Sequence, residues 1–450
     1  MKKILSITSV VAALLLSAGC EKFVEGYDVS PNNPSEVSLE VLLTGTELGT
    51  VSNYTGDLAR ITSLLVQQTQ GRLFQYGDIQ TYDITESSID NQWQNIYTSG
   101  LINAQLLIDQ AGDNFKFYRG IGRVLRAMNL GLATDLWGDV PNIEAVKGQA
   151  GEASFNAAYD SQESILRDIQ STLDAAIIDL SSDPAVNSRV PTGDDIIFSG
   201  DVANWRIAAR ILKARYANRL SKRDPVGSAT TTLAILDAAY ADGLTSSASD
   251  MMAKFGDATN EWNQWFAFEQ QRQGYLTMNQ FFLNLLANDP RLPLYATGND
   301  TEPIGPYYGS QSAELPLVTY FEAKFIDAEA SLRAGNPTRA AMAFNEAVTA
   351  NLTKLGVADA AFLAANAMET AATVTLEKIM TQKYIAMFTQ PEVYSDWRRT
   401  NIPLLTPNVG ASISEIPRRL PTAQNERLYN TKAQGNIVTD LTQRVWWDKP

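Results

Sequence analysis

FIDAEASLRAGNPTRAAMAFNEAVTANL, residues 325–352, decides the fold. Apolar and small residues recur every three or four positions on both sides of Gly335, the spacing of an amphipathic helix rather than the alternation of a strand. Between the two runs, Gly335 stops the first helix, Asn336 caps the second and Pro337 occupies its first position, where a missing N–H leaves no bond unmade. The stretch therefore predicts helix, tight turn, helix. Ala328, Ala330, Ala340, Ala341 and Ala343 leave room for the two helices to cross closely.

Spacing and composition of this hairpin are similar to a tetratricopeptide repeat. Upstream, Trp93, Ile96, Tyr97, Leu101, Ala104, Leu107 and Ile108 make one helical stripe, and Ile121, Val124, Leu125, Met128, Leu132 and Leu136 make another. Gly112-Asp113-Asn114 breaks between them, and Gly138 with Pro141 ends the second. Ile165, Ile169, Leu173, Ile177 and Leu180 begin a further pair, which Trp205, Ala208, Leu212 and Tyr216 complete after the turn-rich linker 181–201. A last helix over about 374–388 is expected to pair with the short helix before it. Shorter periodic runs lie at 39–48 and 58–66. The fold class is mainly α, with about four helical hairpins.

Two segments break this rhythm. GRLFQYGDIQTYDITESSIDNQ, residues 71–92, sets aromatic residues among Gly, Asp, Thr and Ser, as an exposed loop would. A longer insert, about 245–317, concentrates proline, glycine and aromatics. Irregular segments of that length inside a regular scaffold carry function more often than not. Flat aromatic faces suit the CH-rich sides of sugar rings, and amide, acid or guanidinium groups suit their hydroxyls. On those grounds Arg72, Tyr76 and Asp78 from the first loop, and Trp262, Trp265, Tyr275, Tyr307 and Tyr308 from the insert, are the candidate ligand-binding residues. The competing reading for each ring is packing of the insert against the helices, the usual use of a large aromatic. Tyr307-Tyr308, between glycine and proline, is the pair expected to be most exposed. Trp93 reads as core, Trp446 and Trp447 as docking the carboxy terminus, and Asp396-Trp397-Arg398-Arg399 and Arg418-Arg419 as ion-paired corners.

Composition removes several chemistries. The chain of 450 residues has no histidine, one cysteine and a formal net charge of −14. Without histidine there is no Ser/His or Cys/His arrangement and no usual zinc ligand, so no catalytic residue, metal or cofactor is expected. The acidic balance and the lack of a basic stripe argue against nucleic acid. A glycosidase working through two carboxylates stays open, because any pair among fifty acidic residues is uninformative.

The amino terminus sets the location. Lys2 and Lys3 precede an apolar run, 4–16, too short to span a bilayer, and Ser17-Ala18-Gly19 leads into Cys20. This resembles a bacterial lipoprotein signal: residues 1–19 a signal peptide, Cys20 the lipidated residue, 20–34 a tether containing Pro31 and Pro34, and 35–450 a single body. Several acyl chains on Cys20 would exceed the two-signal threshold for stable anchoring to a membrane the chain does not span.

Taken in order, Cys20, WQNIY (93–97) with Asn103, DLWGDVP (135–141), NDPRLPLY (288–295), FIDAEASLRAG (325–335), YSDWRRTNIPLL (394–405), IPRRLPTAQNE (416–426) and the terminal WWD resemble the SusD/RagB family of nutrient-binding outer-membrane lipoproteins, in its SusD-like starch-binding branch. The resemblance implies four tetratricopeptide-like hairpins with an irregular ligand-binding region. It also implies a cell-surface position over a SusC/RagA-type TonB-dependent transporter, and capture of oligosaccharides, or in some members peptides. A helical-repeat lipoprotein holding only another protein is the main alternative.

Overall fold

The computed structural model describes residues 37–148, 151, 156–296 and 304–450. The signal peptide, Cys20 and the tether lie outside the described residues. The body is mainly α, as its periodicity predicts.

Helices Tyr320–Arg333 and Pro337–Lys354 form the hairpin read from 325–352. Gly335 closes the turn at φ 75°, a conformation that penalises any side chain. Asn336 Oδ1 accepts from the Arg339 amide at 3.1 Å, and Thr319 Oγ1 caps the first helix by accepting from the Glu322 amide. Phe325 and Phe344 meet across the crossing at 6.3 Å between ring centroids, with Ala328, Ala340 and Ala347 buried around them.

The 93–108 stripe is built in three pieces: α-helix Asp90–Asn95, a π-helical turn Ile96–Leu101, and α-helix Ile102–Ala111. It packs with Lys116–Trp137 as the expected hairpin. Gln162–Leu180 and Val202–Asn218 form the next. Two differences from the sequence reading follow. Helix Pro225–Ala241 has no one-sided apolar stripe and escaped periodicity, although Asp224 accepts from the Gly227 amide as its cap and Pro225 opens it. It packs between Val202–Asn218 and Tyr320–Arg333. Helix Leu376–Ala386 packs chiefly on Tyr320–Arg333 and on the following helix Glu392–Thr400, not on the short helix Ala360–Asn366 before it.

Of the expected ion-paired corners, Arg399 and Arg418 pair with acids in a buried network between hairpins, whereas Arg398 and Arg419 donate to backbone carbonyls. Arg215 pairs with Glu322 at 2.6 Å, Arg219 with Glu392 at 2.6 Å and Asp135 at 2.9 Å, and Lys383 with Asp396 at 2.7 Å. Arg399 bridges Glu329 and Asp396, and Arg418 holds Asp448 at 2.6 Å, fastening the carboxy-terminal Trp447 into the core.

A separate buried carboxyl has no cation. Glu47, on helix Leu39–Thr55, accepts from the Ile196 amide at 2.8 Å beside the buried Asp195. Burial, reinforced by Asp195, pushes the Glu47 carboxyl well above its ordinary value of 4.5. The folded protein thus keeps a proton that the unfolded chain releases, so this site loses stability as pH rises above the ordinary carboxylate range. Glu47→Gln keeps the shape without that proton. The expected result is a variant more stable than the wild type by about 1–3 kcal/mol near pH 8, with the difference vanishing toward pH 4, read by urea denaturation at both pH values. A variant less stable than the wild type at pH 8 refutes it.

Three short antiparallel strand pairs tie the irregular segments down. Thr69–Gly71 pairs with Leu276–Met278, with Gly71 opposite Leu276, and so clamps the first loop to the insert. Met251–Ala253 pairs with Leu315–Val318 and closes the base of the insert. Val140–Pro141 pairs with Tyr159–Asp160.

Candidate binding site

The first loop is not wholly irregular, for it contains the helix Phe74–Gln80. The strand clamp brings it against the insert. The Arg72 amide donates to the Tyr275 carbonyl at 2.9 Å. Phe74, at φ 49° and 70% exposed, stacks on half-buried Tyr275 with centroids 4.8 Å apart and planes at 29°. A bulky residue held at positive φ with its ring in solvent is a position of strain. The result is a two-ring platform on the surface.

Beside it opens a cavity of about 550 Å³ whose walls include Asp57, Arg60, Gln75, Asn91, Gln92, Phe268 and Arg272. Helix Asp57–Leu65 supplies the first two. Arg60 donates through Nε to the Tyr76 hydroxyl at 2.9 Å and through Nη1 to the Gln264 carbonyl at 3.0 Å, while its guanidinium lies 4.4 Å over the Phe268 ring. Tyr76 and Gln92 both donate to the Asp57 carboxylate. Burial pushes the Tyr76 hydroxyl far above its ordinary range, so it stays a neutral donor. Helix Gln264–Gln271 separates this cavity from a second, of about 460 Å³, bounded by Leu48, Ile197, Lys254, Phe255, Glu261 and Trp262. Trp262 is half-buried there, edge to face with Phe266 at 5.2 Å.

Of the residues singled out from sequence, Arg72 and Tyr275 meet across the strand clamp, Asp78 is exposed on the Phe74–Gln80 helix, and Trp262 stands at the second cavity. Three are corrected. Tyr76 has no exposed surface and serves Asp57 and Arg60; Trp265 is 2% exposed and packs toward Phe388; Tyr308 is 2% exposed and stacks on Tyr295 at 5.4 Å. Tyr307 is only half-buried, but its hydroxyl donates to the Lys354 carbonyl at 3.0 Å, so the pair is folded onto the Pro337–Lys354 helix instead of standing in solvent. Glycine and proline around Tyr307-Tyr308 signalled a turn, which says nothing about what covers it. Phe74 was missed, although it neighbours Arg72 in the same polar stretch.

Each cavity presents a single carboxylate, Asp57 in one and Glu261 in the other. Among the described residues no group of three acidic, histidine or cysteine side chains could hold a metal ion, and no helix is long and apolar enough to cross a membrane. Two flat rings beside a ring of amides and guanidinium groups can stack one face of a ligand and hydrogen-bond its edge.

The fold is shared with solved structures. A SusD/RagB family protein from Bacteroides thetaiotaomicron is 23% identical, over 92% of this chain and 99% of that one, with a TM-score of 0.71. A chitin-binding SusD homologue from Flavobacterium johnsoniae is 22% identical over 90% and 98%, at 0.76. A SusD homologue from Bacteroides fragilis is 20% identical over 92% and 100%, at 0.74. No curated protein matches the sequence. The SusD-like family model, described as starch-binding and associating with the outer membrane, matches residues 31–313 and 309–421. Because those matches span most of the chain, the protein belongs to the SusD-like family.

Proposed function

We propose that this chain is a lipid-anchored protein of the outer-membrane surface that captures an oligosaccharide at the Phe74–Tyr275 platform and its adjoining cavity, then passes it to a SusC-type TonB-dependent transporter. The family is one of binding proteins, not enzymes. The observation that carries the reading is the surface ring pair of Phe74 and Tyr275, joined through Gln75 and Phe268 to a cavity walled by amides and guanidinium groups. Sugar rings offer an apolar CH face for such a platform and hydroxyls for such a wall. The chitin-binding relative supports the ligand class, and the family's description supports the membrane. Anchoring through Cys20 and the arrangement of a 20–34 tether below a 35–450 body complete the proposal.

A protein-only scaffold has no use for a strained, solvent-facing Phe74. Hydrolysis by paired carboxylates needs two acids roughly 5–10 Å apart, and each cavity supplies one. The test is calorimetry of residues 21–450 against a panel of glycans and peptides, with products analysed afterwards. Saccharide binding without turnover is expected, weakened about tenfold or more in the Phe74→Ala, Tyr275→Ala double variant while helical circular dichroism is kept. Unchanged affinity in that variant, or saturable product formation, overturns the proposal.

A further inference from the structure

The charge balance of the polar cavity specifies more than a saccharide. Its one carboxylate, Asp57, is already matched: Arg60 Nη2 lies 3.4 Å from it. That leaves Arg272, just past the end of helix Gln264–Gln271, on the same wall. Its side chain has one hydrogen bond, to Gln271 Oε1 at 3.3 Å, and its guanidinium sits 5.8 Å over the Phe268 ring. No carboxylate among the described residues lies within ion-pair distance of it. Arg72, across the strand clamp, is exposed and equally without an acidic partner.

Most arginines of this acidic chain are paired with acids, as at Arg119 with Asp179, Arg215 with Glu322 and Arg339 with Asp327, and of the others Arg398, Arg419 and Arg223 donate to carbonyls of the chain instead. Two arginines left unmatched beside one pair of aromatic rings stand against a formal net charge of −14. An unmatched guanidinium over a ring, in a cavity whose other two charges, Asp57 and Arg60, face each other, suits a planar or tetrahedral anion carried on a sugar.

We propose that the cavity selects anionic saccharides, with Arg272 pairing the carboxylate of a uronic acid or the sulfate of a sulfated sugar while neighbouring rings and amides hold the pyranose. The inference rests on the saccharide reading above. Charge-assisted pairing of this kind is worth roughly ten- to hundredfold in affinity. It weakens as salt screens it.

Calorimetry with residues 21–450 tests it, using oligogalacturonate, a sulfated galactose oligomer and the neutral galactose oligomer of equal length. The expected result is tighter binding of an anionic oligomer by tenfold or more at low salt, a preference that shrinks as salt is raised. Arg272→Gln should remove that preference, weakening the anionic oligomer tenfold or more but the neutral one by a far smaller factor, and Arg272→Lys should restore part of it. The carboxylated and sulfated arms identify which anion is read. Equal or weaker binding of both anionic oligomers, or an Arg272→Gln variant that keeps the preference, overturns the inference while leaving saccharide capture intact. Failure of every saccharide in the wider panel overturns both.

Discussion

Replacing Glu329 by alanine is expected to remove about 3–5 kcal/mol of folding stability, the largest loss from any single side chain in the interhelical network. Glu329 is buried on the Tyr320–Arg333 helix, where Oε2 accepts from Arg399 at 2.6 Å and from Asn218 at 3.0 Å, and Oε1 accepts from Arg333 and Arg399. Alanine would leave the partly exposed Arg333 without its carboxylate and the buried Arg399 with Asp396 alone. The penalty comes from those uncompensated cations more than from the lost attraction. Urea denaturation at neutral pH reads it directly, and a loss below about 1 kcal/mol would falsify the assignment of this cluster as a stability centre.

The same carboxyl makes a pH prediction. Burial opposes ionisation of Glu329, but Arg399 and Arg333 outweigh it and hold the group well below its ordinary value of 4.5. Glu392 behaves alike, brought down to about 2 by Arg219 and Arg215 against the cost of burial. A depressed carboxyl contributes stability that is fully present above its unfolded value and is lost as pH falls toward its folded one. Asp135 runs the other way, pushed up to about 6 by burial with Arg219 only partly offsetting it. Between pH 4.5 and 2 the two glutamates dominate, so the wild type should lose stability steeply there. Glu329→Gln should start lower and fall less steeply over the same range.

Gly71→Val is expected to abolish saccharide capture without unfolding the helical body. A Cβ on Gly71 would sit 1.7 Å from the Tyr76 carbonyl oxygen and 3.0 Å from Leu64 Cδ1, and the first of these neighbours is backbone. The strain must be relieved by moving the 72–80 segment away from Thr69–Gly71. That motion separates Phe74 from Tyr275 and pulls Tyr76 from Arg60 and Asp57. A stability loss of about 1–3 kcal/mol, typical of overpacking, should accompany a fall in affinity of more than tenfold. Calorimetry paired with circular dichroism separates the two effects. Wild-type affinity in a folded Gly71→Val protein would show that the loop and insert need not be clamped for binding.

These expectations divide along a line already visible in the chain. The hairpin over 325–352 could be read because everything that makes it is local: apolar spacing, Gly335 for a left-handed turn, Asn336 for a free amide and Pro337 where no N–H is needed. The same holds for Lys116–Trp137 ending at Gly138. Helix Pro225–Ala241 marks the edge of that method, since it lies between two other helices and carries no one-sided stripe to reveal it. Its cap and its proline were the only local signals. Arg399 and Arg418 were readable as members of charge clusters, though their partners, Glu329 and Asp448, were not, and neither was the turn of Arg398 and Arg419 to backbone carbonyls.

For the site the balance reverses. Composition and turn residues marked 71–92 and the insert as the irregular regions, and the strand clamp joins those two. Which rings face solvent was decided elsewhere. Tyr308 is covered by Tyr295 and Phe388, Tyr76 is drawn inward by Asp57 and Arg60, and Phe74 is lifted outward by its own positive φ and by Tyr275. Helix, cap and turn depend on neighbours within a few positions, so the sequence alone determines them for this protein. Exposure depends on which distant segment supplies the covering atoms, and only the tertiary structure decides that.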